Sequence, residues 1–399
     1  MKNRDFVITS LQPWDIEIGS TIKNMALEIS KTNRVLYINT PMDYSTRLRG
    51  NKDAAWKHRM EVVKKRVSPI RRINERMWVA DCPYCIFPVG GLPTARLFDT
   101  VNRINNKMIA DYICEVATQF GFTDYVHLID TDIYRSQYLK EYIKPAPSIY
   151  YCRDFIIGQP YWIKNGARLE AMLAAKSDLV LTNSAQFAIR FKRYNLNTFP
   201  VETGVNLELY DAGKNWDVPE DLKQIPSPII GYVGSVIALR LDCDLLMEVA
   251  QGRPQYNFVF IGPEDETFGN HPLHRLPNVY FLGKKRVETL PAYISGCDVC
   301  INPQIVNDIT DGNYPLKIDE YLAMGKTIVA TSTHTMRDIF AGYAYLPANT
   351  EEYLHALDAA LKECGDKNKE EQRIRSARTL IWQHCVRKIY DIIEQFQTF

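Results

Sequence analysis

Residues 313–326 contain the charged pair best suited by type and spacing to bind a ligand. Pro315 favours a helix start, because its missing N–H costs nothing in a first turn. Lys317 and Glu320 then lie on one face of that helix. Such a pair can be a plain surface ion pair worth under about 1 kcal/mol. Alternatively, Lys317 binds a diphosphate at the positive helix end, and Glu320 accepts hydrogen bonds from two ribose hydroxyls.

Other short motifs that would indicate a specific chemistry are incomplete or absent. Gly325-Lys326-Thr327 resembles the end of a P-loop, but position 320 is a glutamate where that loop needs glycine. The G-x-G-x-x-G, G-x-S-x-G and H-E-x-x-H motifs do not occur. Cys82 and Cys85 have the spacing of a redox pair, but a loop follows them where a thiol-activating helix is needed. The nine cysteines predict neither a disulfide framework nor a metal site.

Short apolar runs alternate with helical periods and predict two α/β halves. The first half has predicted strands at 6–10, 35–39, 125–129, 148–152 and 179–182 and helices at 21–31, 101–118 and 166–176. After a turn-rich stretch at 211–228, interpreted as a linker, the second half has predicted strands at 229–234, 258–262, 279–283, 299–303 and 327–331 and helices at 244–250, 290–295 and 318–324, with a mostly helical end from 351 to 399. This alternation predicts parallel sheets whose ligands bind at the carboxyl ends of the strands, in a cleft between the halves.

The composition is that of an ordinary globular protein. Hydrophobic residues make up 46% and charged residues 24% of the 399 residues. The formal net charge of +1 argues against a general nucleic-acid binder, which carries a basic excess. We find no apolar run of about 18 residues, as a membrane-spanning helix requires, and no signal-peptide core. We therefore expect a cytoplasmic protein.

One segment, residues 47–76, has a strong local charge bias. It contains 11 Lys and Arg against 3 Asp and Glu, so its local excess is +8 while the rest of the chain sums to −7. A solvated surface would explain this bias. The alternative is contact with anionic lipid headgroups, worth about 1 kcal/mol per basic residue, with Trp56, Met60, Val62 and Val63 interleaved as in an interfacial helix. An anionic acceptor would explain the same excess.

The block around Lys317 and Glu320 resembles a block of the GT-B glycosyltransferases, particularly those related to family 4. Residues 315–331 are similar to the pattern P-x-K-x-x-E-Y-x-A-x-G-K-P-V-V-A-T of that family. Further similar blocks lie at 151–155, 177–184, 204–206, 230–235, 241–246, 258–263, 278–283 and 298–303, and Trp382 resembles the aromatic residue of the last helix. The nearest subgroup makes capsular, teichuronic-type or other cell-surface polysaccharides.

The resemblance implies the GT-B fold, with two Rossmann-like doubly wound parallel-sheet domains facing a cleft. The acceptor domain would be 1–205 and the donor domain 206–380, with helix 381–399 packing back on the first. The expected donor is a nucleoside diphosphate sugar, UDP-linked rather than GDP-linked, and transfer would retain the anomeric configuration. The expected acceptor is a saccharide, free or on a polyprenyl diphosphate. No metal, other cofactor or nucleic acid is expected.

The resemblance also assigns residue roles. Glu320 would hold the ribose and Lys317 the diphosphate, and Asp154 would lie beside the sugar and acceptor. Arg240 would replace the basic pair of many relatives, whose first basic residue is Ser235 here. The other expected donor-binding residues are Gly19 and Ser20 facing the phosphates, Gly234 beside Ser235, and Lys284 and Lys285 flanking the nucleobase.

The chain departs from the family at the E-x7-E motif. Glu320 is the second glutamate, but the first position is Gly312, so the adjacent Asp311 or the nearby Asp308 would have to substitute. We take Asp154 and Asp311 as the catalytic candidates. The departure leaves two alternatives open: a sugar-nucleotide epimerase of the same fold, which would need in-site acid–base pairs, and a non-catalytic member of a synthesis complex.

Overall fold

A computed structural model describes residues 1–15, 19–51 and 53–398 of the chain. The described residues form two compact units. The first comprises residues 1–15, 20–201 and 386–398, and the second comprises residue 19 and residues 202–385.

The first unit is built on an eight-stranded sheet of order β3-β4-β2-β1-β5-β6-β7-β8. All neighbouring strands are parallel except β3, which pairs with β4 antiparallel at one edge. Central strands such as β5 are buried along their whole length, as strands covered by helices on both faces must be. Its elements are β1 (Asp5–Ser10), α1 (Thr21–Ser30), β2 (Arg34–Ile38), α2 (Tyr44–Arg49), α3 (Ala54–Val63), β3 (Ile70–Asn74), β4 (Met77–Ala80), α4 (Ala95–Gln119), β5 (Tyr125–Asp130), α5 (Leu139–Ile143), β6 (Ser148–Cys152), α6 (Gly166–Lys176), β7 (Leu179–Thr182), α7 (Ala185–Lys192) and β8 (Thr198–Pro200).

The second unit has a five-stranded parallel sheet of order β11-β10-β9-β12-β13. In chain order this is 3-2-1-4-5, the doubly wound arrangement in which ligands bind where the strand order reverses. Its elements are α8 (Glu220–Lys223), β9 (Ile229–Val233), α9 (Cys243–Gly252), β10 (Asn257–Ile261), α10 (Glu266–Gly269), β11 (Val279–Phe281), α11 (Leu290–Ser295), β12 (Val299–Asn302), α12 (Leu316–Ala323), β13 (Thr327–Ala330), α13 (His334–Phe340), α14 (Thr350–Glu363) and α15 (Lys367–Ala377). The last helix is α16 (Trp382–Thr398).

The predicted strands and helices are all present, and the α/β class with two parallel-sheet domains is confirmed. The helix predicted from 101 begins earlier, at Ala95, because the Thr94 side chain accepts a hydrogen bond from the Leu97 amide and caps it. The sequence analysis missed the β3–β4 hairpin. The four residues of β4 are mostly buried, but β3 is polar and partly exposed at the sheet edge. The hairpin therefore has no second apolar run to identify it.

The interpretation of residues 211–228 as a linker is wrong. Leu222 and Ile225 of this segment are buried in the core of the second unit, and Trp216 and Val218 pack against that core. The Trp216 indole N–H donates to the Asp211 carbonyl at 2.8 Å, which fixes the turn. The prolines and charges of this segment therefore form an ordered cover over one face of the sheet.

The prediction that apolar side chains within 47–76 form the lipid-facing side of an interfacial helix is also wrong. Met60 and Val62 of α3 are buried inside the first unit, and Trp56 and Val63 pack against the cluster that contains Met60. These side chains are already in contact with the core and cannot insert into a lipid surface as well. Most of the described basic side chains of the segment are exposed, whereas Arg59 and Arg71 are half-buried and pair with the buried Asp81.

The C-terminal part of α16 belongs to the first unit. The Tyr390 ring lies 6.1 Å from the Phe6 ring, and its hydroxyl accepts a 2.7 Å hydrogen bond from the Asn33 amide. The terminal amine of Met1 pairs with Glu394 at 2.7 Å. Within the described ranges, no helix has both the length and the hydropathy needed to cross a membrane.

We predict that Tyr390→Phe lowers the free energy of unfolding of the first unit by about 1 kcal/mol, because the buried Asn33 amide loses an acceptor. Urea denaturation of both proteins measures the difference. Tyr256→Phe, whose hydroxyl donates to Asp358 in the second unit, is the control for loss of a tyrosine hydroxyl elsewhere. An unchanged urea transition of the first unit in Tyr390→Phe would contradict the contact.

Candidate functional site

Lys317 and Glu320 lie in one cavity of about 200 Å³ in the second unit. The cavity opens at the carboxyl ends of β9 and β10, where parallel sheets bind ligands. Its lining residues share a position at a strand end, a helix start or a following loop, and they are Gly19, Tyr210, Val233, Gly234, Ser235, Ile261, Gly262, Pro263, Lys284, Lys285, Val287, Leu290, Leu316, Lys317 and Glu320. Helix α12 begins directly after Pro315, as predicted, and so places both charged side chains here.

Lys317 is held by Tyr232 of β9. Its ammonium donates a 2.6 Å hydrogen bond to the Tyr232 hydroxyl and lies 4.1 Å from the centre of that ring. The Tyr232 hydroxyl in turn donates to the Ser235 carbonyl at 3.0 Å. Burial, and to a smaller extent the charge of Arg240, lower the pKa of Lys317 to about 7, although the charge of Glu320 acts in the opposite direction. The cavity therefore contains a lysine that a bound anion would charge.

Two glycines allow the backbone to approach this lysine. Gly234 has a φ of +146°, which side chains rarely adopt, and a Cβ there would lie 3.1 Å from the Lys317 ammonium. A Cβ at Gly262 would lie 1.8 Å from the Gly234 carbonyl oxygen. The loops after β9 and β10 can therefore touch because Gly262 has no side chain, and the absence of a side chain at Gly234 leaves space for Lys317.

Glu320 points to a different tyrosine. Burial raises the pKa of Glu320 to about 7, while a hydrogen bond from Tyr210 and the charge of Lys317 act in the opposite direction. Among the ion pairs of the described residues, none joins Lys317 to Glu320, so the pair is not the surface ion pair that the spacing also allowed. An amine and a carboxyl group in one cavity, each held by a different tyrosine, suit a ligand with an anionic and a hydroxyl-rich part.

Asp319, between them in sequence, faces away into the core. It is fully buried, accepts a 2.9 Å hydrogen bond from the Tyr314 hydroxyl, and lies 3.2 Å from the Thr203 hydroxyl. Burial raises its pKa to about 8 in spite of these bonds. Asp319 therefore anchors α12 and leaves ligand contact to its neighbours.

The structure brings most of the predicted donor-binding residues together. Gly19, Gly234, Ser235, Lys284, Lys285, Lys317 and Glu320 all line the cavity. Lys285 also pairs with Asp221 at 2.7 Å, so its ammonium is already engaged. Arg240 is not a lining residue, although its charge reaches Lys317. Ser20 lies in the first unit, where it caps α1 and donates to the Gln12 side chain.

The two catalytic candidates are both engaged in other contacts. Asp154 lies in the first unit and pairs with Arg153 at 3.0 Å, and Arg153 also binds the buried Asp130. Asp311 lies in the second unit at the start of α13, where its carboxylate accepts from the His334 amide at 2.8 Å and pairs with the His334 ring. Asp311 is not a lining residue of the cavity.

Sequence reasoning missed Tyr210, Gly262 and the apolar wall of Pro263, Val287 and Leu290. Tyr210 follows the predicted junction block at 204–206 with no motif of its own. Gly262 ends a predicted strand, and a glycine just after a strand is a signal of close backbone approach. The apolar wall comes from two segments, the loop after β10 with Pro263 and the turn at the start of α11 with Val287 and Leu290, so only the tertiary fold joins it.

The remaining sequence motifs carry no separate site. Cys82 and Cys85 are free and buried, and burial raises the pKa of the Cys82 thiol, so neither has the features of a reactive thiol. In the part of the chain that the structure describes, no three His, Cys, Asp or Glu side chains are grouped as metal ligands.

Comparison with known proteins gives the class of the second unit. Residues 227–363 match the family of glycosyl transferases group 1. TuaH of Bacillus subtilis (strain 168), named as a teichuronic acid biosynthesis glycosyltransferase, is 32% identical over 196 residues, which are 47% of this chain and 49% of TuaH. The matched region thus spans about half the length of that relative.

Solved structures are similar over nearly the whole chain. HepE of Anabaena in complex with UDP and glucose has a TM-score of 0.64 at 14% identity and covers 98% of this chain and 100% of its own. Sucrose-phosphate synthase of Thermosynechococcus elongatus has a TM-score of 0.69 at 14% identity and covers 99% and 100%. Residues 227–363 therefore form a glycosyltransferase group 1 domain, and the chain has the GT-B fold.

We predict that binding of UDP at pH 8 takes up close to one proton. In the free protein the Lys317 pKa of about 7 makes the neutral amine dominant at pH 8, and a diphosphate in the cavity favours the charged form. By linkage, the dissociation constant should rise with pH above about 7, by up to about tenfold per pH unit. Calorimetry in buffers of different ionisation enthalpy measures the proton count.

Lys317→Met should remove most of this proton uptake, and the uptake in the unaltered protein should be smaller at pH 6, where Lys317 is already charged. Proton release, or no exchange at pH 8, would contradict the assignment of the diphosphate to Lys317.

Proposed function

We propose that this protein transfers a sugar from a UDP-linked donor to a saccharide acceptor during synthesis of a cell-surface polysaccharide. One observation carries the proposal: Lys317 and Glu320 lie in the same strand-end cavity, inside the region that matches the glycosyltransferase family. Lys317 would bind the diphosphate and Glu320 the ribose hydroxyls. The apolar side formed by Pro263, Val287 and Leu290 would receive the base.

The choice of UDP is supported by HepE, which binds UDP and glucose in a structure of the same fold. The chemistry proposed is loss of the diphosphate from the sugar with retention of configuration. Lys317, charged when the anion is bound, would stabilise the negative charge that develops on the leaving diphosphate, assisted by Arg240 at longer range. With these cations in place, we propose that transfer needs no metal ion.

The acceptor is proposed to be a saccharide, free or linked to a polyprenyl diphosphate. The resemblance to TuaH supports a role in cell-surface polysaccharide synthesis, since TuaH is named for teichuronic acid biosynthesis. We propose that the protein works at the inner face of the plasma membrane, held there by the exposed basic side chains of residues 47–76.

A non-catalytic nucleotide-sugar-binding role is the second candidate, and one observation favours it. Position 312 is glycine where the family has a glutamate, and the neighbouring Asp311 carboxylate is bound to His334. The epimerase alternative would require a second acid–base pair in the cavity. Among the lining residues that the structure describes, we find none.

We predict that UDP raises the melting temperature more than GDP, TDP or CDP, without a requirement for magnesium. A ligand present at about 100 times its Kd stabilises the folded state by about 2.7 kcal/mol. Glu320→Gln should weaken UDP binding about 10- to 100-fold, because hydrogen bonds to a charged acceptor are worth about 1.5–3 kcal/mol.

The matched control is Glu220→Gln. Glu220 and Lys223 are also a helical Glu–Lys pair three residues apart, but the Glu220 side chain is 81% exposed. Equal UDP affinity in both variants would remove Glu320 from the site. If UDP binds but no acceptor-dependent release of UDP occurs with any saccharide or lipid-linked acceptor tested, the non-catalytic candidate is supported instead.

We predict that the protein co-sediments with vesicles containing anionic phospholipid and that Lys57→Gln/Lys65→Gln/Arg72→Gln reduces this binding, because each basic residue near the surface contributes about 1 kcal/mol. All three side chains are exposed in the first unit. The control triple variant, Lys223→Gln/Lys367→Gln/Arg375→Gln, removes exposed charges of the second unit. Equal vesicle binding by the two variants would contradict a role of residues 47–76.

A further inference from the structure

Among the described residues, Lys317 and Glu320 share one cavity and one helix, α12, without forming an ion pair with each other. Side chains three residues apart on a helix lie close enough to pair. The attraction between opposite charges also becomes stronger as their surroundings become less polar. An ion pair within the cavity would engage both groups and leave neither for a ligand. Contacts that keep the two groups apart are therefore a requirement of this site.

Lys317 is kept in its position by both parts of the Tyr232 side chain. The Lys317 ammonium donates to the Tyr232 hydroxyl at 2.6 Å and lies 4.1 Å from the centre of the Tyr232 ring. The attraction between an ammonium and an aromatic ring does not need the hydroxyl group. The position of the lysine therefore does not depend on a single hydroxyl.

Glu320 depends on the hydroxyl of Tyr210. Apart from burial, two groups act on the Glu320 carboxyl, namely the hydrogen bond from Tyr210 and the charge of Lys317. Tyr210 is only 3% exposed and lines the same cavity as Glu320. The charge of Lys317 attracts the carboxylate, so the hydrogen bond from Tyr210 is the contact that opposes pairing.

Tyr210 is held in place by a tight turn and by the core. The Tyr210 amide donates to the Asn206 carbonyl at 2.8 Å, and the Glu208 amide donates to the Asn206 side chain at 3.0 Å. The Tyr210 side chain belongs to the hydrophobic core of the second unit. A hydroxyl whose ring is locked by packing can hold a neighbouring group at a fixed position, here the Glu320 carboxyl.

The start of the same segment, residues 203–210, is also joined to α12. The Thr203 hydroxyl lies 3.2 Å from the Asp319 carboxyl, and both residues are buried. Asp319 and Glu320 are consecutive, so α12 is attached to residues 203–210 at two adjacent positions. The fold itself, rather than side-chain flexibility, therefore sets the place of the Tyr210 hydroxyl beside Glu320.

We infer that Tyr210 is a positioning residue that prevents Glu320 from pairing with Lys317 and so keeps both groups available to a nucleoside diphosphate. A carboxylate has about four acceptor positions, so Glu320 can accept from Tyr210 and still accept from two ribose hydroxyls. The first half of this inference concerns the free protein. The second half, which concerns the ribose, rests on the proposed function.

A crystal structure of Tyr210→Phe without nucleotide tests the first half. The variant keeps the ring in the core, so we expect the fold to be retained. The Lys317 ammonium should lie within about 4 Å of the Glu320 carboxylate, the distance of an ion pair, whereas the unaltered protein crystallised in the same way should keep the two groups apart. A variant in which they remain apart would overturn the inference.

Calorimetry with UDP and 2′-deoxy-UDP tests the second half. The unaltered protein should bind UDP at least about tenfold more tightly than 2′-deoxy-UDP, because the lost hydrogen bond is to a charged acceptor. In Tyr210→Phe this preference should fall below about threefold, since a carboxylate turned towards Lys317 no longer faces the ribose. A merely structural role of Tyr210 would weaken both nucleotides equally, and that result would also overturn the inference.

The matched control is Tyr345→Phe, because the Tyr345 hydroxyl also donates to a glutamate of the second unit, Glu363, at 2.7 Å. This variant should keep the full preference for UDP. The double variant Tyr210→Phe/Glu320→Gln should bind UDP as weakly as Glu320→Gln alone, because the hydroxyl acts through the carboxylate. Losses that add in the double variant would show that Tyr210 acts by another route.

The two measurements separate this inference from the proposed function. If the ion pair forms in Tyr210→Phe but the unaltered protein does not bind UDP, the role of Tyr210 in the free protein is supported and the proposed donor binding is wrong. If UDP binds and Tyr210→Phe keeps the full preference for the ribose, the donor binding is supported and the inference is overturned.

Discussion

The cavity of the second unit depends on keeping an amine, Lys317, and a carboxyl group, Glu320, buried without pairing them with each other. Lys317 and Glu320 lie less than one helical turn apart, yet each is held by a different tyrosine. Burial of an unpaired charge is costly, and the pKa values of both groups move towards about 7 as a result. A ligand with an anionic diphosphate and a diol would relieve both costs at once, so the strain of the free site is converted into binding free energy.

The rest of the second unit can be understood as support for that arrangement. Gly234 and Gly262 let two strand ends approach Lys317, the buried Asp319 anchors α12, and Tyr232 sets the lysine at hydrogen-bond distance from β9. Residues 211–228, expected to be a linker, pack on the core of this unit, and Tyr210 directly before them hydrogen-bonds Glu320. These residues come from four separate stretches of sequence, which only the doubly wound topology brings together.

Much of this architecture could be predicted from the sequence, because buried parallel strands are continuous apolar runs and their helices show a clear period. The position of Lys317 and Glu320 on one helical face followed from their spacing alone. Three features could not be predicted. The polar edge strand β3 lacks an apolar pattern. The spacing of Trp56 and Met60 is the same whether the helix lies on a membrane or packs on the core. The contact of Asp311 with His334, 23 positions away, forms only in the tertiary structure.

The most direct test of the central claim is a crystal structure of the protein with UDP. We predict diphosphate oxygens within hydrogen-bond distance of the Lys317 ammonium and both ribose hydroxyls donating to Glu320. The ammonium would then either give up its hydrogen bond to the Tyr232 hydroxyl or keep it beside the new one. The base should lie against Pro263, Val287 and Leu290. UDP bound elsewhere, or bound in this cavity with its diphosphate turned away from Lys317, would show that Lys317 does not bind the diphosphate.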